Sequence, residues 1–142
     1  MGRGVVGFLL DTNVLSELRR REPDPGLLRW WGMVDDDALF ISVLVVGEIE
    51  QGVLRLRHRG DHGQADRLAE WSERLVHSYA DRIVPVDGGV ARRWAAMNVP
   101  DRLPVVDGLM AATAAHHGWT FVTRNTKDVS DRGVPLLNPF EG

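Results

Sequence analysis

Apolar residues in this chain fall into short continuous runs separated by longer stretches with helical spacing. Val5 to Leu10 is an unbroken, β-branched run and predicts a strand buried on both faces. Thr12 to Arg21 reads as a helix closed by Pro23 and Pro25, and Gly26 to Val34 as a second short helix carrying Trp30 and Trp31. The acidic triplet Asp35-Asp36-Asp37 marks a solvated turn before a second strand, Ala38 to Ser42. From Val43 to Arg59 the residues Val45, Ile49, Val53 and Leu56 recur on one helical face, and Gly60 stops the helix. His62 to Tyr79 is again amphipathic, with Ala65, Leu68, Trp71, Leu75 and Tyr79 inward. Arg82 to Val86 predicts a strand, Gly89 to Met97 a helix, and Asn98 to Pro104 a loop. Val105 to His117 is an Ala-rich helix that Gly118 caps. Trp119 to Thr123 and Val134 to Leu137 complete the set as strands.

Strands alternating with helices imply an α/β fold, a central, mostly parallel sheet flanked by helices, in one domain spanning residues 5–140. Ligands of such sheets sit beyond the carboxyl ends of the strands. With 142 residues, 44% hydrophobic and 26% charged, the chain has enough apolar material for one ordinary core. The net charge of −3 argues against non-specific coating of nucleic acid. Contact with a polyanion must therefore rest on local clusters such as Arg19-Arg20-Arg21 and Arg55 to Arg59, each of which also reads as a solvated helix end. The absence of cysteine excludes disulfides, zinc thiolates and cysteine nucleophiles, and it fits the cytoplasm. No apolar run approaches the length of a membrane span, and the first residues lack the pattern of a secretory signal.

Several carboxylates stand where apolar sequence should be core. Asp11 follows Phe8-Leu9-Leu10, Glu48 follows Ser42 to Gly47, and Asp107 follows Leu103 to Val106. Asp128 lies a few residues past Phe121-Val122-Thr123. Singly, each has an ordinary reading: Asp11 and Asp107 as helix caps, Glu48 as a flank residue reaching water, and Asp128 as a solvated loop acid. Gly52 leaves room above Glu48 for a ligand or another side chain. Together, at matching places of one parallel architecture, they point to acids gathered around a hard dication. Like charges gathered closely repel unless a cation lies between them, and Mg²⁺ or Mn²⁺ prefers carboxylate and water oxygens. Such an ion serves phosphodiester hydrolysis.

The motifs Leu10-Asp11-Thr12-Asn13-Val14-Leu15-Ser16-Glu17, Ile41 to Glu48, Leu103 to Ala114, and Val122-Thr123-Arg124-Asn125-Thr126-Lys127-Asp128 come in the order and spacing of a known family, as does the ending Leu137-Asn138-Pro139-Phe140. The chain resembles the PIN-domain ribonucleases, specifically the VapC-type toxins of bacterial toxin–antitoxin pairs and their FitB-like branch. The resemblance implies a PIN-like three-layer α/β sandwich and a Mg²⁺-dependent endoribonuclease in which Mn²⁺ substitutes. It implies Asp11, Glu48 and Asp107 as metal-site acids. Asp11 and Asp107 would bind the ion, Glu48 would hold or activate the attacking water, and Thr12, Asn13 and Thr123 would orient the acids. Asn125 stands where many members have Asp, so Asn125 or Asp128 would supply the fourth oxygen. Gly108 replaces a frequent Ala and would let a backbone approach closely. The resemblance also implies an RNA substrate, a homodimer, and a cognate antitoxin that blocks the acidic groove.

Two other readings compete. A phosphoaspartate phosphatase would use Asp11 as nucleophile, but it wants a second acid at the position of Asn13. A binding module would use the acids only as caps. His116-His117 lacks a second ligand pair for a metal, and Trp30-Trp31 reads as core or dimer contact rather than a base-stacking platform.

Overall fold

The computed structural model describes residues 6–140. Strand β1 is Phe8–Leu10, followed by α1, Thr12–Leu18, and α2, Pro25–Met33. A 3₁₀ turn, Asp36–Ala38, leads into β2, Leu39–Ser42, and then α3, Val43–His58, and α4, His62–Ser78. The remaining elements are β3, Ile83–Val84; α5, Gly88–Met97; α6, Val105–His117; β4, Thr120–Val122; a 3₁₀ turn, Thr126–Val129; and β5, Leu136–Leu137. The sheet order is β3-β2-β1-β4-β5, and every pairing is parallel. The expected α/β sheet flanked by helices is therefore present, fully rather than mostly parallel.

β1 is the centre of the sheet. Leu9 and Leu10 are completely buried, as the continuous apolar run requires. β1 pairs with β2 on one side and β4 on the other. The chain thus leaves the centre in opposite directions, and the carboxyl ends of β1, β2 and β4 lie side by side, the usual ligand position in open α/β sheets. The core packs around Phe121, Leu9, Leu10, Leu27, Leu39, Ile41 and Met110. On α6, Met110, Ala111, Ala112 and Ala114 are fully buried, so small side chains let this helix lie close on the sheet. Arg57 of α3 pairs with Asp66 of α4 at 3.0 Å across the two longest helices.

Several elements differ from the sequence expectation. The first strand begins at Phe8, and Val5 lies outside the described residues. Helix α1 stops at Leu18 rather than Arg21. The cause is Glu17, buried at 6% exposure, whose Oε2 accepts the Asp24 N–H at 2.9 Å and folds the chain back. Pro25 does not end a helix; it opens α2, where a missing N–H costs nothing. The edge strands β3 and β5 keep only two residues each. Gly118 takes a left-handed φ of 74° at the end of α6, as its C-cap role demands.

Both glycines near the acids make room for side chains. A Cβ on Gly52 would meet Leu68 Cδ2 of α4 at 3.3 Å, so the space over Gly52 belongs to helix packing rather than a ligand. A Cβ on Gly108 would meet Leu103 Cβ at 3.2 Å and the Trp94 indole at 3.4 Å, so side chains rather than backbone make that approach. Trp30 is half-buried, edge-on to Phe8 with ring centres 5.4 Å apart, and is thus a core flank. His117 stacks on Trp119 at 4.3 Å, and Trp119 on Phe40 at 4.0 Å, which accounts for the histidine pair by ring packing. Burial and the neighbouring His116 both hold the His117 imidazole below its ordinary pKa. Among the described residues, no helix is long and apolar enough to cross a membrane.

Candidate active site

Asp11 sits immediately past the end of β1. Its backbone N–H donates to Val122 O at 2.9 Å, extending the β1–β4 ladder by one residue and fixing where the side chain starts. The carboxylate is only 4% exposed and is used on both sides. Oδ1 accepts from the Thr12 N–H at 2.7 Å, so the capping reading holds. Oδ2 accepts from Thr123 Oγ1 at 2.7 Å and from Asn13 Nδ2 at 3.3 Å. Thr123 is itself buried and receives the Asn125 N–H at 3.0 Å, which leaves its own proton for Asp11. Capping and a site role are thus compatible: the cap fixes the rotamer.

Glu48 lies on α3, the helix that follows β2 and that Ser42 caps through the Leu44 N–H at 3.0 Å. It is half-buried. Its Oε1 accepts from Thr12 Oγ1 at 2.5 Å. Glu50, two positions on, is exposed. Asp107 is in the first turn of α6, half-buried, where the helix dipole favours a negative charge. It is not the cap; Pro104 occupies that position and gives no side-chain bond. The preceding run is less inward than its composition suggests, since Val105 is 61% exposed.

Electrostatics show that these acids share one region. Burial is the main cause that raises the Asp11 pKa from 3.8 to about 6. The charges of Asp107 and Glu48 push it further up, against the lowering hydrogen bonds from Thr123 and Thr12. Asp107 is also raised, first by burial, then by Asp128 and Glu48. Asp128 is exposed in the 3₁₀ turn after β4, yet its charge reaches Asp107. Asn125 meets the site through its backbone, donating to Thr123 and accepting from the Asp128 N–H at 3.2 Å. Charge coupling thus links Asp11 to Asp107 and Glu48, and Asp107 to Asp128 and Glu48, while Thr12, Asn13 and Thr123 hydrogen-bond to Asp11 or Glu48.

The donor set suits a hard dication. Among the described residues, no three acidic or histidine side chains stand close enough to enclose an ion by themselves. Mg²⁺ does not require that: it commonly keeps several waters and takes one or two carboxylates. Asp11 and Asp107, both raised by burial and by neighbouring carboxylate charge, are groups that a cation would relieve.

Asn13 also weighs against a phosphatase. Its Nδ2 donates to Asp11 and its Oδ1 accepts from the Arg124 N–H at 3.3 Å, so the amide links β1 to the segment after β4. It has no proton to exchange as a general acid.

Glu17 is a buried acid that sequence reasoning passed over. Its Oε1 lies 3.3 Å from Arg20 Nη1 and 3.5 Å from Arg124 Nη2, and Arg124 stacks on the Phe140 ring at 3.8 Å. The available signal was its spacing: Glu17 is three residues from Val14, on the apolar face of α1.

Comparison with known proteins points the same way. Residues 8–131 match the model of the PIN domain. The chain is 30% identical over 143 residues to "VapC ribonuclease Y4jK" of Sinorhizobium fredii, covering 94% of this chain and 98% of that protein. It is 31% identical over 139 residues to "Toxin FitB" of Neisseria gonorrhoeae, covering 94% and 98%. Among solved structures, FitAcB from Neisseria gonorrhoeae superposes with a TM-score of 0.83 at 30% identity, over 93% of this chain and 97% of that one. A toxin–antitoxin complex from Klebsiella pneumoniae gives 0.63 at 25% identity, over 96% and 100%.

Proposed function

This chain belongs to the PIN-domain family, and on that premise we propose that it is the toxin of a toxin–antitoxin pair, a Mg²⁺-dependent endoribonuclease held inactive by a cognate antitoxin. One observation carries the reading: past the end of β1, the buried Asp11 carboxylate is held by Thr12, Thr123 and Asn13 and lies within reach of the charges of Asp107 and Glu48, while those of Asp128 and Glu48 reach Asp107. The names carried by its relatives, ribonuclease and toxin, support the activity and the biological role. The toxin–antitoxin complex among its structural relatives supports the partner.

Asp11 and Asp107 would hold the ion, with Asp128 as the fourth carboxylate in preference to Asn125, because Asp128 is the one whose charge reaches Asp107. When bound, the ion supplies positive charge for the phosphoryl oxygens and makes water a better nucleophile. Thr12 occupies Glu48 Oε1 and leaves Oε2 to accept a proton from water. Thr123 and Asn13 fix the Asp11 carboxylate, as hydrogen-bonded supports of metal ligands do. Single-stranded RNA is the substrate in this reading, since its backbone can enter an open crevice. Mn²⁺ would replace Mg²⁺, the chain would pair with a second copy of itself, and the activity would lie in the cytoplasm with its RNA.

Expression without an antitoxin tests the proposal. Growth should stop, fragmented RNA with new 5′ ends should accumulate, and Asp11→Ala should abolish both effects. Arrest that persists in Asp11→Ala would remove the acids from the mechanism.

A further inference from the structure

The proposed reaction leaves a physical problem. The site is a concentration of negative charge on a chain of net charge −3, yet its substrate is a polyanion. Phosphate contacts dominate the affinity of proteins for nucleic acids, so positive charge must lie within a few nucleotides of the acids.

One groove supplies it. Arg19, Arg67, Glu70, Trp71 and Arg74 line a depression of about 360 Å³ between the end of α1 and the face of α4. Arg67, Trp71 and Arg74 are spaced four and three residues apart, so they form one stripe along α4. The three arginines are exposed, and Trp71 is half-buried, packed on one side against the core and lining the groove on the other. The Arg19 guanidinium lies 5.2 Å from the Trp71 ring centre. Three guanidiniums face a single carboxylate, Glu70. Helix α1 ties the groove to the acids. Asp11 caps its start and Arg19 its end, a separation of about 12 Å along the axis.

We propose that this groove is a binding site for the RNA strand outside the scissile bond, where Arg19, Arg67 and Arg74 hold backbone phosphates and Trp71 stacks a base. The inference rests on the ribonuclease reading above. Guanidiniums bind phosphate through paired N–H donors, and an aromatic face accepts any base, so the contact adds affinity without sequence preference.

The test measures binding of a single-stranded RNA oligonucleotide by fluorescence anisotropy across a salt series, in an Asp11→Asn background that prevents cleavage. Arg67→Gln with Arg74→Gln should weaken binding about tenfold at low salt and flatten the salt dependence by about 1.4 in log–log slope. Trp71→Leu should weaken binding with no change in slope. In the cleaving protein, Arg67→Gln with Arg74→Gln should raise KM on a long RNA and leave kcat and the cleavage of a dinucleotide unchanged. Unaltered RNA affinity and slope in the double variant, with the cleaving protein still active, would overturn the groove alone. Loss of affinity for an acidic antitoxin but not for RNA would reassign the groove to that partner. A protein that neither binds nor cleaves RNA would overturn the groove together with the ribonuclease reading.

Discussion

Thr12 Oγ1 donates to Glu48 Oε1 at 2.5 Å, tying the first residue of α1 to the second turn of α3. The same threonine gives its backbone N–H to Asp11. One residue therefore contacts two acids from different elements, Asp11 at the end of β1 and Glu48 on α3. Thr12→Val keeps the shape and the backbone contact but removes the hydroxyl. The expected result is a fall in kcat of about 10–100-fold, the usual size for loss of an orienting partner. Stability should change by only about 1 kcal/mol. Single-turnover cleavage and thermal melting measure the two effects, and a large loss of stability with unchanged kcat would contradict the assignment.

Asp107 is destabilised by burial and by the charges of Asp128 and Glu48. Asp107→Asn removes the charge at nearly constant volume. In chelator, the variant should melt at a higher temperature than wild type. Adding Mn²⁺ should raise the wild-type melting temperature and leave the variant's almost unmoved. Scanning calorimetry with and without Mn²⁺ reads both, and a variant less stable than wild type in chelator would show that the carboxylate has a structural partner.

The pH dependence of the metal-free protein follows from Asp11. Its pKa is about 6 in the fold against an ordinary 3.8, so the folded state binds this proton more tightly than the unfolded state. The contribution is fully present below pH 3.8 and is lost as pH rises through about 6. The loss amounts to roughly 3 kcal/mol. Urea denaturation in chelator at the two ends of that window should show wild-type stability falling with pH, and Asp11→Asn should lose most of the slope. Equal slopes in both proteins would mean that Asp11 is not the group responsible.

Glu17 serves the frame of the site. It holds the Asp24 N–H and faces Arg20 and Arg124. Glu17→Ala leaves a backbone donor without its acceptor and should cost about 1–3 kcal/mol. Glu17→Gln keeps an acceptor for Asp24 and should cost less. Neither should shift the Mn²⁺ affinity of the folded protein, which isothermal titration can check.

The parts of the fold legible in the sequence were those set by period. The stripe Val45, Ile49, Val53 and Leu56 lies on α3, with Leu56 only half-buried, and the run Val5 to Leu10 gives a strand from Phe8. Position along a strand also placed Asp11, just past the end of β1, while Glu48 and Asp107 were read from helix positions, and they lie on α3 and α6. What stayed hidden depended on partners distant in sequence. The helical pattern runs through Arg21, whereas α1 ends at Leu18, where Glu17 turns back to accept the Asp24 N–H. A glycine announces space without saying what fills it, and Leu68 and Leu103 fill the spaces at Gly52 and Gly108. Thr123 could be named as a support of the acids, but its bond to Asp11 spans more than a hundred residues and needs the register of β1 on β4.

Cleavage of a defined single-stranded RNA by the purified chain is the most direct test of the metal-dependent acid cluster. Mg²⁺ or Mn²⁺ should be required, chelator should abolish cleavage, and Asp11→Asn and Asp107→Asn should each reduce the rate by at least ~100-fold at saturating metal. Cleavage that continues undiminished in both variants, or in chelator, would contradict it.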